Sequence, residues 1–159
     1  MVRLWVVGGL LLILVLAGYA RSSGSISFTA ESQQEIEKYI REEVMSPNFR
    51  GEIFSAHEIL GSNEKKGELY IWALIEEYYK EDSKIEQGTG MSVPMVLKVD
   101  QTEDSLQVIS HSIPRDGSYY ANDIKDMFPY FAEIKALDYP SIYVDKLIKK
   151  IEAEVAGEW

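Results

Sequence analysis

ELYIWALIEEYY, residues 68–79, is the stretch that decides the fold. One face of an extended chain here is apolar, at Leu69, Ile71, Ala73 and Ile75. The other face is apolar as well, at Tyr70, Trp72 and Leu74. Because both faces are apolar, periodicity alone also permits a helix. The aromatic content and the preceding Gly67 favour a long strand, which would pair with neighbouring strands in a sheet.

Three further segments supply such neighbours, because apolar residues recur at every second position. They are residues 53–60, 91–99 and 105–113. Polar connections at residues 61–67, 80–90 and 100–104 are predicted to be loops or turns. Pro94 lacks the N–H that a sheet ladder needs, and it therefore predicts an edge position or a bulge in its strand.

Helices are predicted before and after these strands. Residues 31–45 carry one narrow apolar stripe, at Ile36, Tyr39, Ile40 and Val44. Thr29 or Ser32 can cap the start of this helix, and Ser46-Pro47 ends it. Residues 130–137 allow a turn or two of helix, and Pro140 begins a final helix whose buried face starts at Val144.

The order of elements predicts an α+β fold. Four consecutive strands with short connections form an antiparallel meander, and the first helix has the stripe needed to cover one of its faces. The arrangement is similar to the cystatin-like and NTF2-like architecture. This similarity concerns architecture only and implies no activity.

The N-terminal segment, MVRLWVVGGLLLILVLAGYA, precedes this domain. Arg3 is a short basic region, and Leu4–Ala17 contains no polar residue. Residues 1–20 therefore read either as a cleaved signal peptide or as an uncleaved transmembrane anchor, and residues 21–27 as a polar linker. Both alternatives predict that residues 28–159 form a single exported domain, either anchored to the membrane and facing outward or secreted.

Charge and composition exclude several classes of function. Residues 21–159 carry a net charge of −11, whereas nucleic-acid binding requires a basic surface. No polybasic block follows the apolar segment to attract anionic lipid headgroups. The absence of cysteine excludes thiolate nucleophiles, disulfides, iron–sulfur clusters and cysteine-bound zinc.

Candidate catalytic residues are few. His57 and His111 lie in separate predicted strands and form no metal-binding spacing, and no nucleotide-binding or serine-nucleophile motif is present. Glu76 and Glu77 are neighbours on a strand, so their side chains point to opposite faces and cannot act together as acid and base. We predict no metal and no cofactor.

The candidate binding site lies in PRDGSYY, residues 114–120. The stretch predicts a tight turn at Arg115-Asp116-Gly117 that leads into a short helix. Tyrosine and tryptophan provide large rigid faces with a polar tip, which suits contact with peptides or sugars. The predicted ligand-binding residues are Arg115, Asp116, Tyr119, Tyr120 and Trp72. Packing within the core and the sheet is the competing explanation for these aromatic residues.

Together with residues 123–125 and 128–129, this stretch resembles the C-terminal part of small membrane-anchored extracytoplasmic proteins of unknown function from Gram-positive bacteria. The resemblance implies a location outside the membrane and one small α+β domain. It implies no activity and no catalytic residues.

Three functions stay open from the sequence. The first is a non-catalytic, membrane-associated extracytoplasmic domain that binds a peptide, a protein or a component of the cell envelope. The second is an enzyme with an NTF2-like pocket in which Glu77 or a histidine shuttles a proton. The third is an accessory subunit of a membrane complex.

Overall fold

The computed structural model describes residues 28–102 and 105–159. The predicted signal or anchor at residues 1–20 and the linker at 21–27 lie outside the described residues. The main elements, in chain order, are α1 Ala30–Glu43, β1 Glu52–Asn63, β2 Glu68–Glu81, β3 Lys84–Gln101, β4 Leu106–Ser112, α2 Tyr120–Met127, α3 Tyr130–Leu137 and α4 Ser141–Glu158. Short 3-10 helices occupy Glu64–Lys66 and Gly117–Tyr119.

The four strands form one antiparallel sheet in the order β1-β2-β3-β4. The predicted α+β class, with a helix before the meander and helices after it, is therefore confirmed. Thr29 caps α1, because its hydroxyl oxygen accepts a hydrogen bond from the N–H of Ser32 at 3.1 Å.

Helices cover both faces of the sheet. On the first face, Ile36 and Ile40 of α1 pack on the residues of β2, β3 and β4 that alternate inward. On the second face, α2 and α3 pack around Tyr70, while α4 packs on Phe54 and Leu74. The sequence prediction gave a cover to one face only. The second cover explains why β2 is apolar on both sides.

Two ion pairs join α1 to α4 around the outer edge of β1. Glu37 pairs with Lys150, and one turn further along both helices Arg41 pairs with Glu154. Both partners advance by four residues, so the two helices run side by side in the same direction here. The pairs cover a strand edge that would otherwise be open to another chain.

The connection between β2 and β3 is much shorter than predicted. Residues 80–90 were expected to be a loop, but only Asp82 and Ser83 lie outside the strands. Both have positive φ angles, 48° and 67°, as a type I′ hairpin turn requires. The sequence predicted a loop because most of the residues that pair in this part of the hairpin, beyond the core, are polar.

α3 is fastened to a bulge in β1. The register of the β1–β2 pairing shifts between Ile59 and Gly61, and this shift leaves Leu60 without a partner on β2. The ammonium group of Lys135 donates a hydrogen bond to the free carbonyl of Leu60 at 2.8 Å. The ring of Phe131 lies directly on Gly61, where an added Cβ would be 2.2 Å from a ring carbon.

Within the part of the chain that the structure describes, no helix has the length and apolar content needed to cross a bilayer.

Candidate functional site

Arg115 lies in the turn between β4 and α2 and is held by Asp123. Its guanidinium group donates two hydrogen bonds of 2.7 Å to the carboxylate, and its backbone N–H donates a third of 2.9 Å. The guanidinium carbon also lies 4.3 Å from the centre of the Tyr119 ring. Hydrogen bonds from Arg115 lower the pKa of Asp123 to about 2, so the pair is charged at neutral pH.

The turn therefore uses Arg115 for its own structure, although the side chain is exposed. Gly117 has a φ angle of 71°, as the predicted tight turn requires. Asp116 and Tyr119 are exposed, whereas Tyr120 is half-buried and packs against the cluster around Tyr70. The short helix after the turn begins without a side-chain cap, because Tyr119 occupies the cap position and its side chain makes no capping hydrogen bond.

Trp72 has a different set of neighbours on the second face of the sheet. Its indole stacks on Tyr139 with ring centres 4.3 Å apart, and its N–H donates to the hydroxyl of Ser92 at 2.9 Å. Tyr139 continues the row to Tyr143, with ring centres 5.6 Å apart. Trp72 packs against both buried clusters of this face, so it joins the cover made by α2 and α3 to that made by α4.

The most unusual surface of the domain is α3. Its buried side consists of alanines, Ala132 and Ala136, which are 0% and 2% exposed. Its large apolar side chains are exposed instead, at Tyr130, Phe131, Ile134 and Leu137, and Ile142 at the start of α4 continues the exposed surface. One side of the Phe131 ring rests on Gly61 of β1, and 48% of the residue is exposed. We call these five residues the α3 face. A helix that only stabilised the fold would bury its large side chains and expose its small ones.

The charge of the sequence around the α3 face is mixed. Residues 125–146 contain four acids, Asp126, Glu133, Asp138 and Asp145, and three lysines, Lys125, Lys135 and Lys146. The ammonium group of Lys135 is engaged with the carbonyl of Leu60, and that of Lys146 lies 4.8 Å from the centre of the Tyr143 ring. The surface therefore combines apolar contact area with surrounding sequence that has no excess of basic residues.

Glu77, one of the residues considered for proton transfer, is fully buried and fixed. Its carboxylate accepts hydrogen bonds from the backbone N–H groups of Asn48, Phe49, Gly51 and Thr89, at 2.7–3.4 Å. Burial by itself would raise the pKa of Glu77, but these four donors outweigh it and hold the pKa below its usual value. A carboxylate held in this way is a structural anchor for residues 48–51 rather than a proton shuttle.

The two histidines lie on the first face but at opposite edges of the sheet. His57 is in β1, and His111 is in β4, where its Nδ1 is 3.0 Å from the hydroxyl of Tyr39. Two strands separate them, which places them roughly 14 Å apart at ordinary strand spacing. They therefore do not form a site together. Among the described residues, no group of three or more histidine or carboxylate side chains is arranged to hold a metal ion.

Sequence reasoning missed the α3 face, although its signal was present. Tyr130, Ile134 and Leu137 follow the helical spacing i, i+4, i+7, which is also the spacing of a core stripe. Only the packed structure shows that the alanine stripe faces the sheet.

Comparisons with known proteins give no independent indication of the function. No family model, no curated protein and no solved structure matches this chain.

Proposed function

We propose that this chain is a non-catalytic extracytoplasmic domain, held at the cell membrane by its N-terminal segment, that binds a protein partner through the α3 face. The observation that carries the proposal is the inverted arrangement of α3, which buries alanines and exposes four large apolar side chains that form one surface with Ile142 of α4. Exposed apolar surface of this kind, surrounded by polar residues, is typical of protein interaction sites.

The charge of the domain favours a basic protein over an anionic membrane surface or a second copy of this chain. An anionic lipid surface attracts an excess of lysines and arginines, whereas residues 125–146 have no such excess and residues 21–159 carry a net charge of −11. A second copy would bring its own net charge of −11 over residues 21–159 against that of the first. A partner with an apolar groove flanked by basic side chains complements both the apolar face and the negative charge of the domain.

An accessory subunit of a membrane complex is the case in which the partner is permanent. The likeness to the cystatin-like and NTF2-like architecture concerns only the packing of a helix on an antiparallel sheet and implies no function. The enzyme alternative has less support, since Glu77 is held by four backbone donors and the two histidines lie at opposite edges.

Site-specific photo-crosslinking in the native host tests the proposal. A benzophenone amino acid replaces Ile134 in the full chain, and a matched control places it at Ile85, which is also exposed but lies at the tip of the β2–β3 hairpin. We expect a discrete protein adduct from position 134 and none from position 85. Adducts with lipid, or none from positions 130, 134 and 142, would contradict the proposal.

A substitution then tests whether the contact depends on the apolar face. Ile134→Asp should abolish the adduct formed from position 130 without lowering the melting temperature, because Ile134 is 49% exposed. Ile85→Asp should leave that adduct in place. Because the net negative charge of the domain attracts a basic partner, the purified complex should weaken as salt rises and screens that attraction.

A further inference from the structure

The outer edge of β3 is only half covered. β3 extends from Lys84 to Gln101, but β4 pairs with it only from Val96 onward. Among the described residues, no strand pairs with residues 84–95 on that side. An incompletely paired edge offers backbone donors and acceptors to another extended chain.

The register shows which backbone groups face this open edge. The N–H of Val99 donates to the carbonyl of Gly67, so Val99 points toward β2. Along a strand the N–H and C=O of successive residues point alternately to the two sides, and the β2–β3 register is continuous from Lys98 down to Gly90. Gly90, Ser92 and Pro94 therefore direct their backbone groups away from β2.

Pro94 fits this geometry. Its missing N–H faces the open edge, so the proline removes no hydrogen bond from the β2–β3 ladder. Pro94 was predicted to occupy an edge position or a bulge. It lies in the part of β3 that has no partner on its outer side, because the pairing with β4 ends two residues away, at Val96. Gly90 and Ser92 are exposed and keep both their N–H and C=O groups.

From Gln87 onward the open edge lacks the charges that commonly protect such edges, whereas Lys84 and Glu86 lie nearer the hairpin. Gln87–Leu97 is a run of eleven residues without a charged side chain, in a chain of which 26% is charged. Lysine and glutamate on an edge strand normally oppose pairing with another chain. Here Pro94 is the one protective residue in the run, and it blocks a single donor.

We propose that the edge of β3 around Gly90 and Ser92 binds an extended segment of another protein by β-strand addition. An antiparallel segment in line with β4 would exchange two backbone hydrogen bonds with each of these residues and donate one to the carbonyl of Pro94. This surface is separate from the α3 face and does not depend on it.

The side chains beside the edge define the sequence that fits. On the first face Met91, Val93 and Ile113 are half-buried and border the core under α1, so an added strand would place apolar side chains there. On the second face the neighbours are Gly90 and Ser92, which favour small or polar side chains. The segment that fits therefore alternates apolar and small polar residues, without acidic ones, since residues 21–159 carry a net charge of −11.

The first test uses seven-residue peptides selected from a random phage-displayed library on the full chain in nanodiscs. Amide hydrogen exchange is measured by NMR before and after addition of the selected peptides. We expect the amides of Gly90 and Ser92 to exchange rapidly in the free chain and slowly in the complex. Protection of these amides already in the free chain, a selection without binders, or peptides that leave their exchange unchanged would overturn the proposal.

A matched pair of variants isolates the backbone contribution. Ser92→Pro and Ser92→Ala both lose the hydrogen bond from Trp72, but only the proline also removes the outward N–H. We expect Ser92→Pro to weaken peptide binding about tenfold or more relative to Ser92→Ala. Equal affinities would overturn the proposal. Sedimentation of the free chain as a dimer that Ser92→Pro dissociates would also overturn it, because a second copy would then occupy the edge.

Discussion

Glu77 holds Phe49 from a position 28 residues further along the chain. Its Oε1 accepts the N–H of Phe49 at 2.7 Å and that of Gly51 at 3.0 Å. The buried carboxylate thereby organises the segment between α1 and β1, which has no strand or helix of its own. Because Glu77 is ionised, both of its oxygens can accept hydrogen bonds from the backbone donors of this segment.

Glu77→Gln should destabilise the protein, because the amide group replaces one acceptor oxygen by a donor that faces backbone N–H groups. We expect the melting temperature to fall by roughly 5 °C or more. Glu81→Gln, at the exposed end of β2, is the matched control and should have little effect. The lowered pKa of Glu77 also predicts stability that is present above its unfolded pKa, near 4.5, and lost as the pH falls through its lower folded pKa. Equal melting temperatures for both variants would contradict the anchoring role.

The sequence predicted the order of the elements well because hydrophobic periodicity reports local geometry. It placed α1 and the final helix, and it recognised β2 as a strand with two apolar faces. It could not predict contacts between distant residues, such as those of Glu77 with Phe49 or of Lys135 with the carbonyl of Leu60. Of the predicted site residues, Arg115 proved to be bound to Asp123, eight positions later, a spacing that corresponds to no regular element.

The exposed surface of α3 also could not be predicted from the sequence. A single helix with two apolar stripes does not reveal which one packs on the sheet. The choice depends on the bulge at Leu60 and on the room above Gly61, and both belong to β1. Local pattern therefore predicts the helix, and only tertiary packing determines its exposed surface.

His57 should make stability depend on pH between about 4 and 6.5. Burial, and secondarily the charge of Lys150, lowers the pKa of His57 from 6.5 to about 4. The carboxylate of Glu37, 3.6 Å from Nδ1, acts in the opposite direction but does not outweigh the burial. Between these values the unfolded chain binds a proton that the folded chain does not, so stability is full above pH 6.5 and is lost as the pH falls toward 4. The loss is on the order of 3 kcal/mol.

Urea unfolding of His57→Gln and His111→Gln at pH 4.5 and pH 7 measures this contribution. His57→Gln should reduce the difference in unfolding free energy between the two pH values. His111→Gln keeps His57 and should therefore keep the part of the difference that His57 causes. The same pH difference in both variants would show that another group is responsible.

Gly117→Ala should destabilise the turn that carries Arg115 by about 1 kcal/mol, through the backbone alone. The φ angle of Gly117 is 71°, but an added Cβ would meet nothing within 4 Å, so a steric clash does not contribute. Gly157→Ala is the control, because its Cβ also enters open space while its φ angle is not positive. That change lies in α4 and should leave stability equal or slightly higher. Chemical denaturation distinguishes the two, and equal effects would contradict the strain argument.

The stacked pair of Trp72 and Tyr139 should be energetically coupled. Trp72→Leu and Tyr139→Leu each remove part of the contact between the two covers of the second face. A double-mutant cycle should give a coupling energy of about 1 kcal/mol, as expected for a stacked aromatic pair. A parallel cycle of Trp72 with Tyr130, which is 75% exposed, should be additive. Additivity in both cycles would mean that the stacking contributes no stability of its own.

Gly61→Ala should separate the position of α3 from the stability of the sheet. The added Cβ would be 2.2 Å from a ring carbon of Phe131, so the ring must move and α3 must shift with it. Because Phe131 is 48% exposed and has room to move outward, we expect a modest loss of stability, about 1 kcal/mol. The adduct formed from position 134 should nevertheless fall sharply, since the α3 face would no longer have its native geometry. Phe131→Leu in the Gly61→Ala background removes the clash and should restore part of the adduct. An adduct that stays at its original level in Gly61→Ala would show that the partner does not require α3 to lie on this glycine.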